Sequence, residues 1–334
     1  MSGPLKVGVV GTGALGYHHL RHLRTLTGAV VCGFHEIDAA RAATVSRELG
    51  VEQAASLEAL LDEVDAVSIA VPTPAHFAVA RTALQRGKHV LIEKPITTTL
   101  AEADELLALA SANGALVQIG HVERFNRAIR AAWPYVENPL FIESERLAPF
   151  NPRGSDVAVV LDLMIHDIDL VLTLTRAKVT DVSAAGVGVL TPSIDIADAR
   201  ISFANGAIAN ITASRISRER TRKLRLFQRN GYMSLDLAAG NGELFRLRSD
   251  VDMATLAQTA QPDVAAFVER IPLEAPEGDA LKLELESFVA AVRGEAPVPV
   301  TGADGRDALA VALRIVADIE RSRSALSAAP IPGA

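Results

Sequence analysis

Leu5-Lys6-Val7-Gly8-Val9-Val10-Gly11-Thr12-Gly13-Ala14-Leu15-Gly16 decides the fold. An apolar run that reads as a strand meets a glycine loop, and the loop opens a helical pattern. That is the context in which G-x-G-x-x-G marks a dinucleotide-binding turn. Gly11 permits the tight turn, Gly13 lets a pyrophosphate approach the backbone, and Gly16 allows close helix–strand packing. Thr12, Ala14 and Leu15 complete the loop, and the N–H groups at the helix start face the phosphates. On its own the loop also reads as a glycine-rich turn of an unrelated α/β domain.

Outward from the loop, apolar runs at 5–10, 29–34, 66–70, 89–92 and 115–119 alternate with helical patterns at 15–26, 39–49, 57–61 and 75–84. Near-continuous apolar strands alternating with helices predict a parallel sheet covered on both faces. Thr99 and Glu102 have the spacing of a capping box. The second half differs. An apolar helix is expected at 157–174. Alternating segments follow, punctuated by Asn205-Gly206, Asn230-Gly231 and Asn241-Gly242, which read as hairpin turns of a mainly antiparallel sheet. Residues 281–292 and 304–322 return to helical spacing. The expected class is α/β, with a Rossmann domain over 1–122 and a second α/β domain over 123–326. The final helices are free to pack back on the first domain, and 327–334 form a loose tail.

At 334 residues, about two domains are expected. The chain is 49% apolar and 22% charged, with 33 Lys and Arg against 40 Asp and Glu, a net charge of −7. That balance gives no global attraction to nucleic acid, and 4% aromatics argues against stacking platforms for single strands. The single cysteine, Cys32, forms no internal disulfide, which fits a reducing compartment. No apolar run reaches membrane-spanning length, and the first residues lack a signal-peptide pattern. The expectation is a cytoplasmic protein with no membrane or nucleic-acid partner.

Glu36 stands at the end of the second strand, near the spacing of the acid that grips the adenosine ribose hydroxyls. An acid there repels a 2′-phosphate, which favours NAD over NADP; its plainer reading is a solvated loop residue beside the N-cap Asp38. Lys94, in Glu93-Lys94-Pro95, ends a parallel strand, where ligands of open α/β sheets bind. A lysine there can stabilise a developing alkoxide, although most Lys-Pro pairs are surface features. Asp162 and His166 lie four apart in an apolar helix and so share a face. Asp162 can fix the imidazole tautomer, leaving the other nitrogen as a base for a hydroxyl proton. A satisfied core histidine is the alternative. No third spacing points to a metal.

Together with Pro72-Thr73-Pro74-Ala75-His76, Glu286-Ser287-Phe288 and Thr301-Gly302, these residues resemble the Gfo/Idh/MocA oxidoreductases over nearly the whole chain. The resemblance implies a Rossmann domain and a second domain with a large open sheet, through which dimers or tetramers form. It also implies that Lys94, Asp162 and His166 match the catalytic lysine, the aspartate and the general-base histidine. The family's glycines before the aspartate are replaced here by residues 157–160. Thr73 and His76 could line the nicotinamide side, or simply start a helix. The stretches 120–126, 161–169 and 212–217 are similar to the branch that oxidises C3 of UDP-N-acetylglucosamine. The 3-keto product of that branch feeds 3-amino sugars for lipid A. A diphosphate would give a task to Arg124, Arg146, Arg153, Arg215 and the basic run Arg218, Arg220, Arg222, Lys223 and Arg225, with Asn126 beside the sugar. The run also reads as a solvated strand face or a subunit rim. The alternatives carried forward are an inositol or free-sugar dehydrogenase, an NAD-dependent glycosidase and a non-catalytic nucleotide sensor.

Overall fold

The computed structural model describes residues 3–152, 154, 157–248 and 267–328. The chain divides into two units: Met1–Phe125 with Gly278–Ala310, and Asn126–Glu277 with Val311–Ala334. The boundary falls three residues beyond the one read from sequence, and a late segment returns to the first unit.

In the first unit the strands β1 (Leu5–Val10), β2 (Ala29–His35), β3 (Ala66–Ile69), β4 (His89–Glu93) and β5 (Val117–Gly120) form a parallel sheet in the order β2-β1-β3-β4-β5. Every residue of β3 is buried, as a strand covered on both faces requires. The helices are α1 (Ala14–Leu23), α2 (Ala39–Leu49), α3 (Leu57–Glu63), α4 (Thr73–Gln85) and α5 (Leu100–Asn113). Side-chain caps start three of them: Asp38 accepts from Ala40 and Arg41, Ser56 from Ala59, and Thr99 forms its box with Glu102. Val7, Val9, Leu20, Leu23 and Phe34 share a core with Leu285, Phe288, Val289 and Val292. Those last four sit on a late helix, Ala280–Val292, whose apolar stripe is buried against α1.

The second unit holds α6 (Arg127–Ala132), α7 (Ile165–Thr175) and eight strands: β6 (Phe141–Leu147), β7 (Val179–Val187), β8 (Ile196–Phe203), β9 (Ile208–Ser214), β10 (Thr221–Gln228), β11 (Gly231–Asp236), β12 (Asn241–Leu247) and β13 (Val268–Leu273). Their order is β13-β12-β11-β10-β6-β9-β8-β7, antiparallel throughout except between β6 and β9. Ile142, Ile211, Leu224 and Leu226 are buried on one face, towards α7. The alternate positions, Glu143, Glu145, Asn210, Thr212, Lys223 and Arg225, lie on the opposite, polar face.

The late helix is α8, and α9 (Gly302–Ala328) runs from the first unit into the second. Asp318 of α9 accepts the Ala184 N–H at 2.7 Å, which protects the edge strand β7.

Two expectations shift. The Asn241-Gly242 pair begins β12 instead of turning the chain. The turn lies just before it, where Asp236 Oδ1 accepts from Ala238 and Ala239 and Gly240 takes φ +69°. An Asx turn supplied by the preceding strand thus takes the place of the Asn-Gly signal. The tail expected at 327–334 begins inside α9 and from 329 lies outside the described residues. No described helix is long and apolar enough to cross a membrane.

Candidate active site

The glycine loop follows β1 without a break. A Cβ on Gly16 would lie 1.9 Å from the Gly11 carbonyl oxygen, and Gly11 itself takes φ +82°. Both glycines are therefore demanded by the turn. Gly13 is not: a Cβ there would meet nothing of the protein. Gly13, Ala14 and Leu15 are exposed, no side chain caps α1, and its first turn contains no acid. Helix-start N–H groups left for an anion, beside a glycine whose own packing does not require it, fit a pyrophosphate. The residues present suit a dinucleotide.

Glu36 ties itself to this loop. Its Oε2 accepts from the Thr12 N–H at 2.7 Å and the Thr12 hydroxyl at 3.0 Å, and Oε1 accepts the Asp38 N–H. Burial pushes its pKa up, but these hydrogen bonds outweigh it and hold the carboxyl below the usual range. Arg41 completes the clamp. Its Nε donates to the Thr12 carbonyl at 2.7 Å, its Nη2 donates to that of Gly13, and its guanidinium lies 5.2 Å from the Tyr17 ring centroid. The sequence reading gave Arg41 no part in the site. Its signal was its place on the first turn of the helix that Asp38 caps.

At the end of β4, Glu93 is buried while Lys94 is partly exposed, and the Lys94–Pro95 bond is cis. Pro72 and Thr73 start α4 at the surface. His76, expected at the cofactor's edge, is buried instead. Its Nδ1 lies 2.8 Å from the Pro95 carbonyl and its Nε2 lies 2.9 Å from that of Val71. Burial lowers its pKa. The ring joins the turn after β3 to the turn that carries Lys94.

In the second unit the expected α-helix begins with a π turn, Val160–Met164, in which the Ile165 N–H reaches back five residues to Val160. Such turns recur at functional sites. Asp162 lies in it, and His166 follows in the first turn of α7; both are partly exposed. Asp167 and Asp169 point inward and are buried.

The arginines divide. Arg146, expected at phosphate, is buried: its Nε and Nη2 bind Asp167 at 2.5 and 3.2 Å, and the Ser144 hydroxyl donates to the same carboxylate. Alternation along β6 puts Ser144 and Arg146 on the face of Ile142, so the guanidinium needs a buried partner. Arg215 is also buried. It donates to the carbonyls of Gly154 and Val157, and its Nε lies 3.9 Å from Asp195. Neither arginine presents a free fork to a ligand. Asn126 caps α6, accepting from the Ala128 N–H and donating to the Leu237 carbonyl. Arg124, in the first unit, donates to the Pro299 carbonyl and lies 3.6 Å from Asp304. Arg225 pairs with Glu143 on the polar sheet face. Arg218 and Arg220, between β9 and β10, are exposed, and among the described residues neither has an ion-pair partner. Arg153 lies outside the described residues. Among the described residues no cluster fits a metal ion.

Residues 5–121 match a family described as an oxidoreductase family with an NAD-binding Rossmann fold, and residues 115–234 match the GFO/IDH/MocA C-terminal domain. The UDP-N-acetylglucosamine 3-dehydrogenase of Acidithiobacillus ferrooxidans is 38% identical over 95% of this chain and 97% of its own. A solved structure of that enzyme matches with a TM-score of 0.87, covering 95% of this chain and 98% of that one. The scyllo-inositol 2-dehydrogenase (NAD(+)) of Bacillus subtilis is 30% identical over 65% of this chain and 69% of its own. The myo-inositol 2-dehydrogenase of Thermotoga maritima is 25% identical over 96% and 98%.

Proposed function

The chain belongs to the Gfo/Idh/MocA family of NAD-binding oxidoreductases, and from that membership we propose that it oxidises C3 of UDP-N-acetylglucosamine to the ketone. The observation that carries the substrate is the 38% identity to a UDP-N-acetylglucosamine 3-dehydrogenase over both units. The inositol dehydrogenases match at lower identity.

NAD, held by Gly11–Gly16 with Glu36 at its ribose, supplies the hydride acceptor when bound. The protein's own residues do the rest. Oxidation of a hydroxyl releases a proton, and His166 takes it; Asp162 orients the ring. Lys94 donates a hydrogen bond to the same oxygen as negative charge builds on it. Arg218 and Arg220 face the diphosphate, since Arg146 and Arg215 are held by Asp167 and by backbone carbonyls. His166→Asn keeps a side chain of similar reach but removes the base. It should lower turnover by about 10²- to 10⁴-fold and leave NAD affinity within twofold, measured by NADH formation and by NAD titration. Unchanged turnover would remove His166 from its role.

The same reading has the enzyme working in the cytoplasm and passing its 3-keto product to an aminotransferase, for 3-amino sugars of the lipid A type. It also has the enzyme working as a homodimer or homotetramer. The open face of the eight-stranded sheet supports that assembly. Phe141, Phe227, Tyr232 and Phe245 form a row across four strands there, with ring centroids 6.0, 5.5 and 4.8 Å apart, each half-buried in the lone chain.

A further inference from the structure

Beneath Lys94 three buried polar side chains from three elements form a chain. His19 of α1 is fully buried, three residues after Gly16. Its Nδ1 lies 2.7 Å from the Ser68 hydroxyl of β3, and its Nε2 lies 3.0 Å from Glu93 Oε1 at the end of β4. The other Glu93 oxygen accepts the Lys94 backbone N–H at 3.3 Å. The carboxylate rests on Gly120 of β5, where a Cβ would come within 2.8 Å of it. Nothing in the expected chemistry uses His19 or Ser68.

A carboxylate this deep is costly as an anion unless it is paired. The Glu93 pKa nevertheless lies below the usual range. Burial raises it, but the close approach and charge of His19, then Lys94, then His76, bring it down. Those groups reach it from α1, from β4 itself and from α4. His19 Nε2 stands 3.0 Å from Glu93 Oε1, within ion-pair range. Ser68 can accept from or donate to Nδ1, so the hydroxyl holds the ring's orientation in either charge state. The geometry thus anchors the buried anion next to Lys94 to the helix that starts at the glycine loop.

We propose that His19 is a positioning residue for Lys94: it holds Glu93 as the buried counter-ion that keeps the lysine a proton donor to the substrate oxygen. This rests on the role given to Lys94 above. Without His19, Glu93 takes up a proton at a higher pH, Lys94 loses its neighbouring anion, and its ammonium is given up more easily.

Two variants separate this role from simple packing. His19→Gln keeps an N–H donor near the Nε2 position; His19→Asn reaches Ser68 but not Glu93. For His19→Asn, kcat should fall about tenfold or more, the scale of losing an orienting partner at metal-bound histidines. NAD Kd should stay within twofold, and the alkaline limb of kcat/KM should move to lower pH. His19→Gln should restore the limb. A purely structural role would weaken NAD binding in step with kcat and leave the limb in place, and that result overturns the proposal. Lys94→Met is the control for the underlying assignment. If that variant keeps turnover, Lys94 lacks its role, and His19 is judged by Glu93 alone. There, ¹³C-carboxyl glutamate labelling, with the resonance identified by its loss in Glu93→Gln, follows Glu93 without substrate. His19→Asn should raise its titration by about one unit or more; no movement refutes the link. If His19→Asn does not fold, Ser68→Ala carries both measurements with the same expected directions.

Discussion

Three backbone N–H groups, from Val189, Leu190 and Thr191, and the Thr191 hydroxyl converge on the buried carboxylate of Asp195 at 2.7–2.9 Å. Burial raises its pKa, but the hydrogen bonds win and bring it down to about 2. The unfolded carboxyl titrates near 3.9. Its contribution to stability is therefore full above about pH 4 and is lost as pH falls towards 2. Asp195→Ala leaves these donors unsatisfied and should cost on the order of 3 kcal/mol, read as a lower urea midpoint at pH 7. Wild-type stability there would show that these hydrogen bonds contribute nothing. The loss reaches further, because Arg215 lies beside Asp195 and holds the carbonyls of Gly154 and Val157, just before the turn that carries Asp162. At the loop's start, Glu36→Ala removes both the acid proposed for the ribose and the anchor of Thr12. NAD Kd should rise about tenfold, and by more than the NADP Kd, because an anion that repels a 2′-phosphate is also gone. An equal loss for both cofactors, in titrations of the two, would deny Glu36 the ribose. The places of Glu36 and Lys94, just past the ends of β2 and β4, were legible because the apolar runs before them mark the strands. Arg146 and Arg215 were read as phosphate ligands because charge alone was counted. Arg146 shares a strand face with Ile142, and Asp167 sits in an apolar helix; together those two facts point to a buried pair. His19 was missed because a histidine in a helix carries no signal until the strands beside it are known.

At the scale of elements, the parallel strands were legible because a strand buried on both faces has no polar alternation to confuse its limits. β1 spans the expected 5–10 and α2 the expected 39–49, and caps open the helices where Asp38 and Thr99 stand. The π turn was not legible. The apolar pattern over 157–174 is the same for an α-helix, and only the Ile165-to-Val160 hydrogen bond distinguishes it. The loop between β9 and β10 follows the same logic. Arg215 anchors its start to Gly154, and the Ser217 N–H donates to the Ala148 carbonyl, leaving Arg218 and Arg220 exposed. Replacing both with alanine should raise KM for the UDP-sugar about tenfold or more, as loss of charged hydrogen bonds to phosphate does. KM for NAD should stay unchanged. An unaltered UDP-sugar KM, measured from initial rates, would free these arginines from the diphosphate.

The chain carries a dinucleotide loop, a lysine at a strand end and a histidine on a helix, and it belongs to a family of NAD-binding oxidoreductases. The sequence alone reached that class because the motifs are ordered along nearly the full length. Which arginines are already paired was not legible, because Arg146 meets Asp167 only once strand and helix are packed together. The direct test of the proposed oxidation is absorbance at 340 nm after mixing the protein, NAD and either UDP-N-acetylglucosamine or free N-acetylglucosamine, with the ketone trapped and weighed by mass spectrometry. An enzyme that oxidises the nucleotide-bound sugar gives NADH and trapped 3-ketone with the UDP-sugar and neither with the free sugar. Neither product from the UDP-sugar, or equal turnover of the free sugar, would contradict the proposed function.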